Sequence, residues 1–194
     1  MKKPFSSNTE RLLYIETARQ RVIYILFKHP DKEFSLSDLA DEARVKKSNI
    51  GVVLDEFHKR GFIEITKLSN IWRIKANQKN WCFIRSKIVY NLNVIYESGL
   101  VEFLVDYFKN PKSVILFGSF RKGEDITGSD IDIAIEVDEA EEYRIIRLKE
   151  LADFEKNFDR RVQLHLFNRK HVDINLFNNI ANGVVLWGFL EVKP

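Results

Sequence analysis

The stretch that most constrains this chain runs from Ser113 to Val137. Val114-Ile115-Leu116-Phe117 is an apolar run that stops at Gly118-Ser119. Ten residues later Asp130-x-Asp132 opens a second run, in which Ile131, Ile133 and Ile135 alternate. The first run predicts a strand over Ser113 to Phe117, buried on both faces. Gly118 permits a sharp turn and close backbone approach. Ser119 is expected to open a helix, where free backbone N–H groups and the helix dipole favour phosphate; its hydroxyl adds a donor. Arg121 and Lys122 lie within a turn and can neutralise phosphate charge, and Gly123 lets the chain leave that short helix. In the second run the two-residue period of a strand puts Asp130 and Asp132 on one face. Ile131, Ile133, Ile135 and Val137 belong to the core on the other. Two carboxylates so spaced can share a hard cation. Oxygen ligands favour Mg²⁺ or Mn²⁺, and Mg²⁺ usually also takes substrate phosphate oxygens. A phosphate-binding turn beside a carboxylate pair is what metal-assisted transfer from a nucleoside triphosphate requires. The plainer reading, a solvated acidic turn after Gly128-Ser129, makes both the isoleucine alternation and the upstream Gly-Ser coincidental.

At Gly118-Ser119 and Asp130-x-Asp132 the chain resembles the polymerase-β superfamily of nucleotidyltransferases, and within it the minimal nucleotidyltransferases of prokaryotes. The resemblance covers about residues 98 to 190. It implies a small mixed sheet flanked by helices, Gly118 and Ser119 on the triphosphate, and Asp130 and Asp132 as catalytic residues on the metal. Active members usually carry a third acid on the next core strand. Here a helix is expected from about Ala140 to Asn157, followed by a strand through Arg160-Arg161-Val162-Gln163-Leu164-His165-Leu166-Phe167. Val162, Leu164 and Leu166 alternate inward, so Gln163 and His165 take the third position on the polar face. An amide binds a cation weakly through its oxygen and accepts no proton at neutral pH. Three readings stay open: His165 is the base, Asp159 reaches in from the strand's start, or the domain binds nucleotide without efficient transfer. On its own, His165 reads equally as an ordinary half-buried sheet residue. A helix from about Lys170 to Asn182, Gly183 and a short strand Val184-Val185-Leu186-Trp187 close the domain.

The 194 residues suffice for one medium domain or two small ones, and 45% apolar with 30% charged residues describes a globular chain. Residues 1–80 hold 16 Lys/Arg against 10 Asp/Glu, leaving 15 against 18 for the remainder, so the halves carry +6 and −3. Basic surface suits a polyanion and clustered carboxylate a metal ion. No apolar run approaches the ~20 residues needed to span a bilayer. The charged N-terminus lacks the apolar segment of a secretory signal, so a cytoplasmic chain without membrane contact is expected. Cys82, the single cysteine, excludes an intrachain disulfide and reads as a small half-buried core residue.

The basic part predicts an α helix from Thr9 to about Lys28, stopped at His29-Pro30-Asp31. Ser35 caps a helix over Leu36 to Ala43, and Ser48 caps a third running to Arg60, with Gly61 as its stop. Phe62 to Thr66 and Ile71 to Ile74 read as a hairpin through Leu68-Ser69-Asn70. Three helices and a hairpin, with Leu36-x-x-Leu39-Ala40, Val45 and Ile50-x-x-Val53-Leu54-x-x-Phe57-x-x-x-Gly61-Phe62-Ile63, resemble a winged helix-turn-helix domain. That resemblance implies that Lys46, Lys47, Ser48 and Asn49 face DNA bases and that Lys67 and Arg73 meet phosphates. Gly51 is read as a place of close approach. A solvated face, on a module that docks another protein or its own second copy, is the alternative, and Asp55 and Glu56 favour it. Ala76 to Asn80 marks a boundary. Helical spacing then runs from about Ile84 to Asn110, broken at Ser98-Gly99, and a helix there either joins the domains or forms a homodimer seam.

The expected architecture is therefore α/β (α+β): a winged helix-turn-helix domain over 1–80, a connecting helix over 81–97 and a nucleotidyltransferase domain over 98–194. The expected function is Mg²⁺- or Mn²⁺-dependent transfer of a nucleoside monophosphate from an NTP to a hydroxyl. In similar proteins the acceptor is a small molecule, RNA or a protein such as a partner toxin, which points to a partner encoded nearby. The alternative is a transcription regulator whose transferase-like domain senses a nucleotide; Gln163 favours it.

Overall fold

The computed structural model of the chain describes residues 17–68, 71–138 and 140–192. The chain divides into two compact units, Met1–Tyr90 and Asn91–Pro194. Among the described residues no single helix is long and apolar enough to cross a membrane.

In the first unit α1 spans Ala18–Lys28 and starts at a capping box: Thr17 Oγ1 accepts from the Gln20 backbone N–H, and the Gln20 side chain accepts from that of Thr17. The part of the expected helix before Thr17 lies outside the described residues. A two-residue strand that the sequence did not announce, β1 (Glu33–Phe34), leads to α2 (Leu36–Glu42), which Ser35 caps as expected. Helix α3 spans Lys47–Lys59, and its N-cap is Lys46, not Ser48. Lys46 has extended backbone and offers no side-chain bond, so Ser48 falls inside the first turn and turns its hydroxyl to Asn49 Oδ1 at 3.1 Å. Strands β2 (Ile63–Leu68) and β3 (Ile71–Ala76) pair antiparallel from Ile63↔Ala76 to Leu68↔Ile71, each running about two residues beyond the expected ends. The connecting Ser69 and Asn70 lie outside the described residues. The sheet order is β1-β3-β2. A helix, a short strand, two helices and a hairpin whose second strand sits between the other two constitute a winged helix. Its core joins Leu26, Leu39, Ile50, Leu54, Ile63 and Ile74, all at most 1% exposed. Among the described residues nothing lies within 4 Å of where a Gly51 Cβ would sit, so none of them makes the approach expected there.

Helix α4 spans Trp81–Glu97 and contains the boundary between the units. Phe83 and Tyr90 belong to the first core, and Ile95 to the second. Cys82 is exposed, not half-buried: its neighbour Phe83 takes the inward position. Gly99, in left-handed backbone, breaks the path before α5 (Leu100–Tyr107), as the Ser98-Gly99 pair predicted.

The second unit is built on a five-stranded mixed sheet. Its strands are β4 (Ser113–Phe117), β5 (Ile131–Glu136), β6 (Arg144–Ile146), β7 (Val162–Phe167) and β8 (Val184–Gly188), in the order β6-β7-β5-β4-β8. Only β5 and β7 pair in parallel; the other neighbours are antiparallel. Side-chain alternation serves both faces. Val114, Leu116, Ile131, Ile133, Ile135, Val162 and Leu164 pack on one side with α5 and with α7 (Ala152–Phe158). Ile115, Phe117, Ala134 and Phe167 pack on the other with α8 (Ile174–Ala181). The five-residue α6 (Gly118–Lys122) follows β4, with Gly123 in left-handed backbone as its stop.

One expected element is wrong. The helix predicted over Ala140 to Asn157 is only its last third, α7, preceded by a 3₁₀ turn over Lys149–Leu151. Tyr143-Arg144-Ile145-Ile146 is aromatic and β-branched, and it completes the sheet as edge strand β6 against β7, with Ile145 opposite His165.

Candidate active site

The antiparallel register of β4 and β5 puts Phe117 opposite Asp132, which brings the turn after Phe117 onto that carboxylate. Gly118 has φ +73°, and a Cβ there would stand 2.2 Å from Asp132 Oδ2. Glycine is thus needed twice over, for the left-handed backbone and for the room. Ser119 is half-buried in the first turn of α6, Arg121 is half-buried and Lys122 is exposed. The turn is anchored from beneath by Asn91, 1% exposed, whose amide donates to Phe120 O at 2.7 Å and to Asp125 Oδ1 at 2.9 Å. Sequence reading passed over Asn91, because a single polar residue on an apolar helical face carries no pattern of its own.

Asp132 lies on β5, and Asp130 immediately precedes the strand; both are half-buried. The parallel pairing of β5 with β7 sets Gln163 opposite Asp132 and His165 opposite Ala134. Both side chains turn to the aspartates. Gln163 donates its amide N–H to Asp130 Oδ2, and His165 Nε2 stands 3.2 Å from Asp132 Oδ1. Behind the imidazole, Tyr143 Oη is 2.6 Å from His165 Nδ1. The Phe117 ring meets the imidazole edge-on at 4.8 Å. Burial, and secondarily the Asp132 charge, push the Tyr143 hydroxyl above its usual range, so it keeps its proton. Tyr143 is hidden from the sequence by the helical spacing expected over Ala140 to Asn157; the Tyr-Arg-Ile-Ile run is the available signal for a strand.

Glu136, the next acid along this face of β5, is committed elsewhere: Arg169 donates to both its oxygens and Ser113 to one. Asp159 ends α7 in left-handed backbone and is exposed beside Arg160 and Arg161. Among the described residues no group of three or more His, Cys, Asp or Glu side chains is placed to hold a metal ion. The donor set that is present, two aspartates with an amide beside them, fits a hard divalent cation that completes its shell with phosphate oxygens. Asp130 and Asp132 would hold such an ion, and the Gln163 amide can turn its oxygen toward it.

In the first unit Lys46, Lys47, Ser48 and Asn49 are all exposed around the start of α3. The two wing cations are engaged within the sheet. Lys67 Nζ sits 4.2 Å from the centroid of the Trp72 ring, and Arg73 pairs with Glu33 at 3.6 Å. Both partners of that pair are solvent-exposed, so the pair holds Arg73 only weakly.

Residues 97–182 match the family model described as the nucleotidyltransferase domain. The second unit of this chain is thus a nucleotidyltransferase domain, joined to a winged-helix unit. A comparison with curated proteins finds no match. Among solved structures the chain is similar to MepR, a transcription regulator of the Staphylococcus aureus multidrug efflux pump MepA. There the identity is 10% and the TM-score 0.34, covering 52% of this chain and 71% of that one. It is also similar to a possible transcriptional regulator from Methanosarcina mazei Go1, at 14% identity and TM-score 0.32, covering 48% and 79%. A third is the heme sensor protein PefR from Streptococcus agalactiae, at 17% identity and TM-score 0.32, covering 52% and 78%. Such scores carry no weight for the fold of the first unit, which element order and strand pairing define unaided.

Proposed function

We propose that the second unit transfers a nucleoside monophosphate from an NTP to a hydroxyl, releasing pyrophosphate, with Mg²⁺ or Mn²⁺. The observation that supports this reading is that the Asp132 carboxylate occupies the space where a Gly118 Cβ would stand, so a triphosphate on the Gly118-Ser119 turn and an ion on the aspartates would meet there. The ion, when bound, neutralises phosphate charge and polarises the reacting phosphoryl group. Ser119 supplies a hydroxyl donor and Lys122 a mobile positive charge at the rim. Asp130 and Asp132 keep the ion and the phosphates in one place, so that a bound acceptor hydroxyl meets an oriented phosphorus.

A second reading has its own observation. Gln163 stands where a third acid is expected, and its amide holds Asp130. On this reading the domain senses a nucleotide, and the winged helix responds. Incubation with each labelled NTP, Mg²⁺ or Mn²⁺ and candidate acceptors separates the two. Pyrophosphate release supports transfer; thermal stabilisation by NTP without turnover, coupled to NTP-dependent DNA binding, refutes it in favour of sensing. Gln163→Asp is expected to raise the transfer rate by roughly 10-fold or more, by adding a charged oxygen ligand and a proton acceptor.

The winged helix is proposed to bind duplex DNA, with Lys46, Lys47, Ser48 and Asn49 in the major groove and Lys67 and Arg73 at phosphates. Replacing Lys67 and Arg73 together with alanine is expected to flatten the dependence of log affinity on log salt by about 2, one per lost phosphate contact. An unchanged slope in a binding titration favours a protein-docking face. A protein partner encoded nearby, a homodimer and a cytoplasmic setting belong to the same proposal.

A further inference from the structure

We infer that Tyr143 is a positioning residue of the proposed transfer site: through His165 it fixes which oxygen of Asp132 is turned toward the cation. The inference rests on the transferase reading for its consequence, and on geometry for its cause.

A carboxylate only accepts hydrogen bonds. His165 Nε2, 3.2 Å from Asp132 Oδ1, therefore carries a hydrogen. Its other nitrogen, Nδ1, stands 2.6 Å from the Tyr143 hydroxyl. In the tautomer with its hydrogen on Nε2, the chain of donors runs one way, from Tyr143 to His165 to Asp132. Its members are held from the sides: the His165 side chain is 8% exposed, between the edge-on Phe117 ring and the Tyr143 ring, whose centroid is 5.9 Å away. Register fixes the rest. Ile145 pairs with His165, so β6 delivers Tyr143 to the imidazole's outer side while β5 delivers Asp132 to its inner side. With Oδ1 held by the imidazole N–H, Asp132 presents Oδ2, the oxygen that lies against Gly118. His165 thereby acts as a brace. Both of its ring nitrogens are engaged, one by Asp132 and one by Tyr143. Burial strengthens the arrangement by keeping the tyrosine protonated and a donor.

Groups that orient a metal ligand typically cost 10- to 100-fold in metal affinity when removed. Tyr143→Phe keeps the ring that packs beside Ile115, Phe117 and Phe167 and removes only the hydroxyl. Two measurements on the full chain test the inference. The first is the ¹⁵N resonance of His165 Nδ1, assigned by its loss in His165→Gln. It is expected to move in Tyr143→Phe from the position of a hydrogen-bonded imine nitrogen to that of a free one. An unmoved resonance overturns the inference. The second is Mn²⁺ binding at saturating non-hydrolysable NTP analogue, expected to weaken by roughly 10-fold in Tyr143→Phe. Analogue binding at saturating Mn²⁺ should stay within about 2-fold. Unchanged Mn²⁺ affinity, or a parallel loss of both affinities together with thermal stability, overturns it. Wild-type protein that binds no Mn²⁺ with the analogue sinks the transferase reading and, with it, the consequence for Asp132. The Nδ1 shift would then report on the Tyr143–His165 contact alone, so the two failures are distinguishable.

Discussion

Asp132→Ala is expected to lower pyrophosphate release by at least about 10³-fold, which corresponds to several kcal/mol of barrier. The change removes a carboxylate that lies beside the Gly118 turn and 3.2 Å from His165 Nε2. Asp130 alone, immediately before β5 and bonded to Gln163, leaves a cation with one acidic ligand. The fold should survive, because the Asp132 side chain is 24% exposed and the apolar face of β5 is formed by Ile131, Ile133 and Ile135. Thermal unfolding beside the rate measurement checks this. Near-wild-type turnover in a folded Asp132→Ala protein would contradict the assignment.

Gly118→Ala should be almost as damaging to transfer, for a steric reason. At φ +73° an L-residue costs about 1–2 kcal/mol in backbone energy. The added methyl would stand 2.2 Å from Asp132 Oδ2 and 3.1 Å from Cγ, so the carboxylate must swing away. An aspartate can rotate more readily than the sheet can move. The expected result is therefore a stability loss of about 1–3 kcal/mol and a fall in transfer comparable to that of Asp132→Ala. Because one clash links the two positions, the double variant should be less unstable than the summed single changes predict. Additive stability losses, or a Gly118→Ala protein with full turnover, would show that the turn does not press on Asp132.

These two residues were legible in the sequence because strand physics is periodic. Alternating isoleucines fixed the polar face of β5, and Gly118-Ser119 marked where β4 ends. The same periodicity put Gln163 and His165 on the site side of β7. The helices of the first unit were legible from apolar spacing, and Ser35 from cap chemistry. What escaped were short elements whose stability is borrowed from neighbours. β1 has two residues and β6 has three, too few for a period to show. Ile145, half-exposed on an edge strand, looked like one more apolar position of a helix. Tyr143 was lost with it, and the donor chain behind Asp132 was invisible as a result. The misplaced cap at Ser48 has a similar origin: a good capping residue sat two positions inside a helix whose start is set by the turn through Arg44, at φ +52°. Asn91, Asp125 and Arg160 meet only in three dimensions, so their buried network left no local trace.

The central claim is that Gly118-Ser119 and the two aspartates form one triphosphate and metal site. The most direct test is a crystal structure with a non-hydrolysable NTP analogue and Mn²⁺, read by anomalous scattering. The account predicts a manganese peak shared by Asp130, Asp132 and phosphate oxygens, with the triphosphate on the Gly118-Ser119 turn and the Gln163 amide nitrogen withdrawn from Asp130. A triphosphate bound elsewhere, or a manganese peak away from the aspartates while Gln163 still holds Asp130, would contradict it.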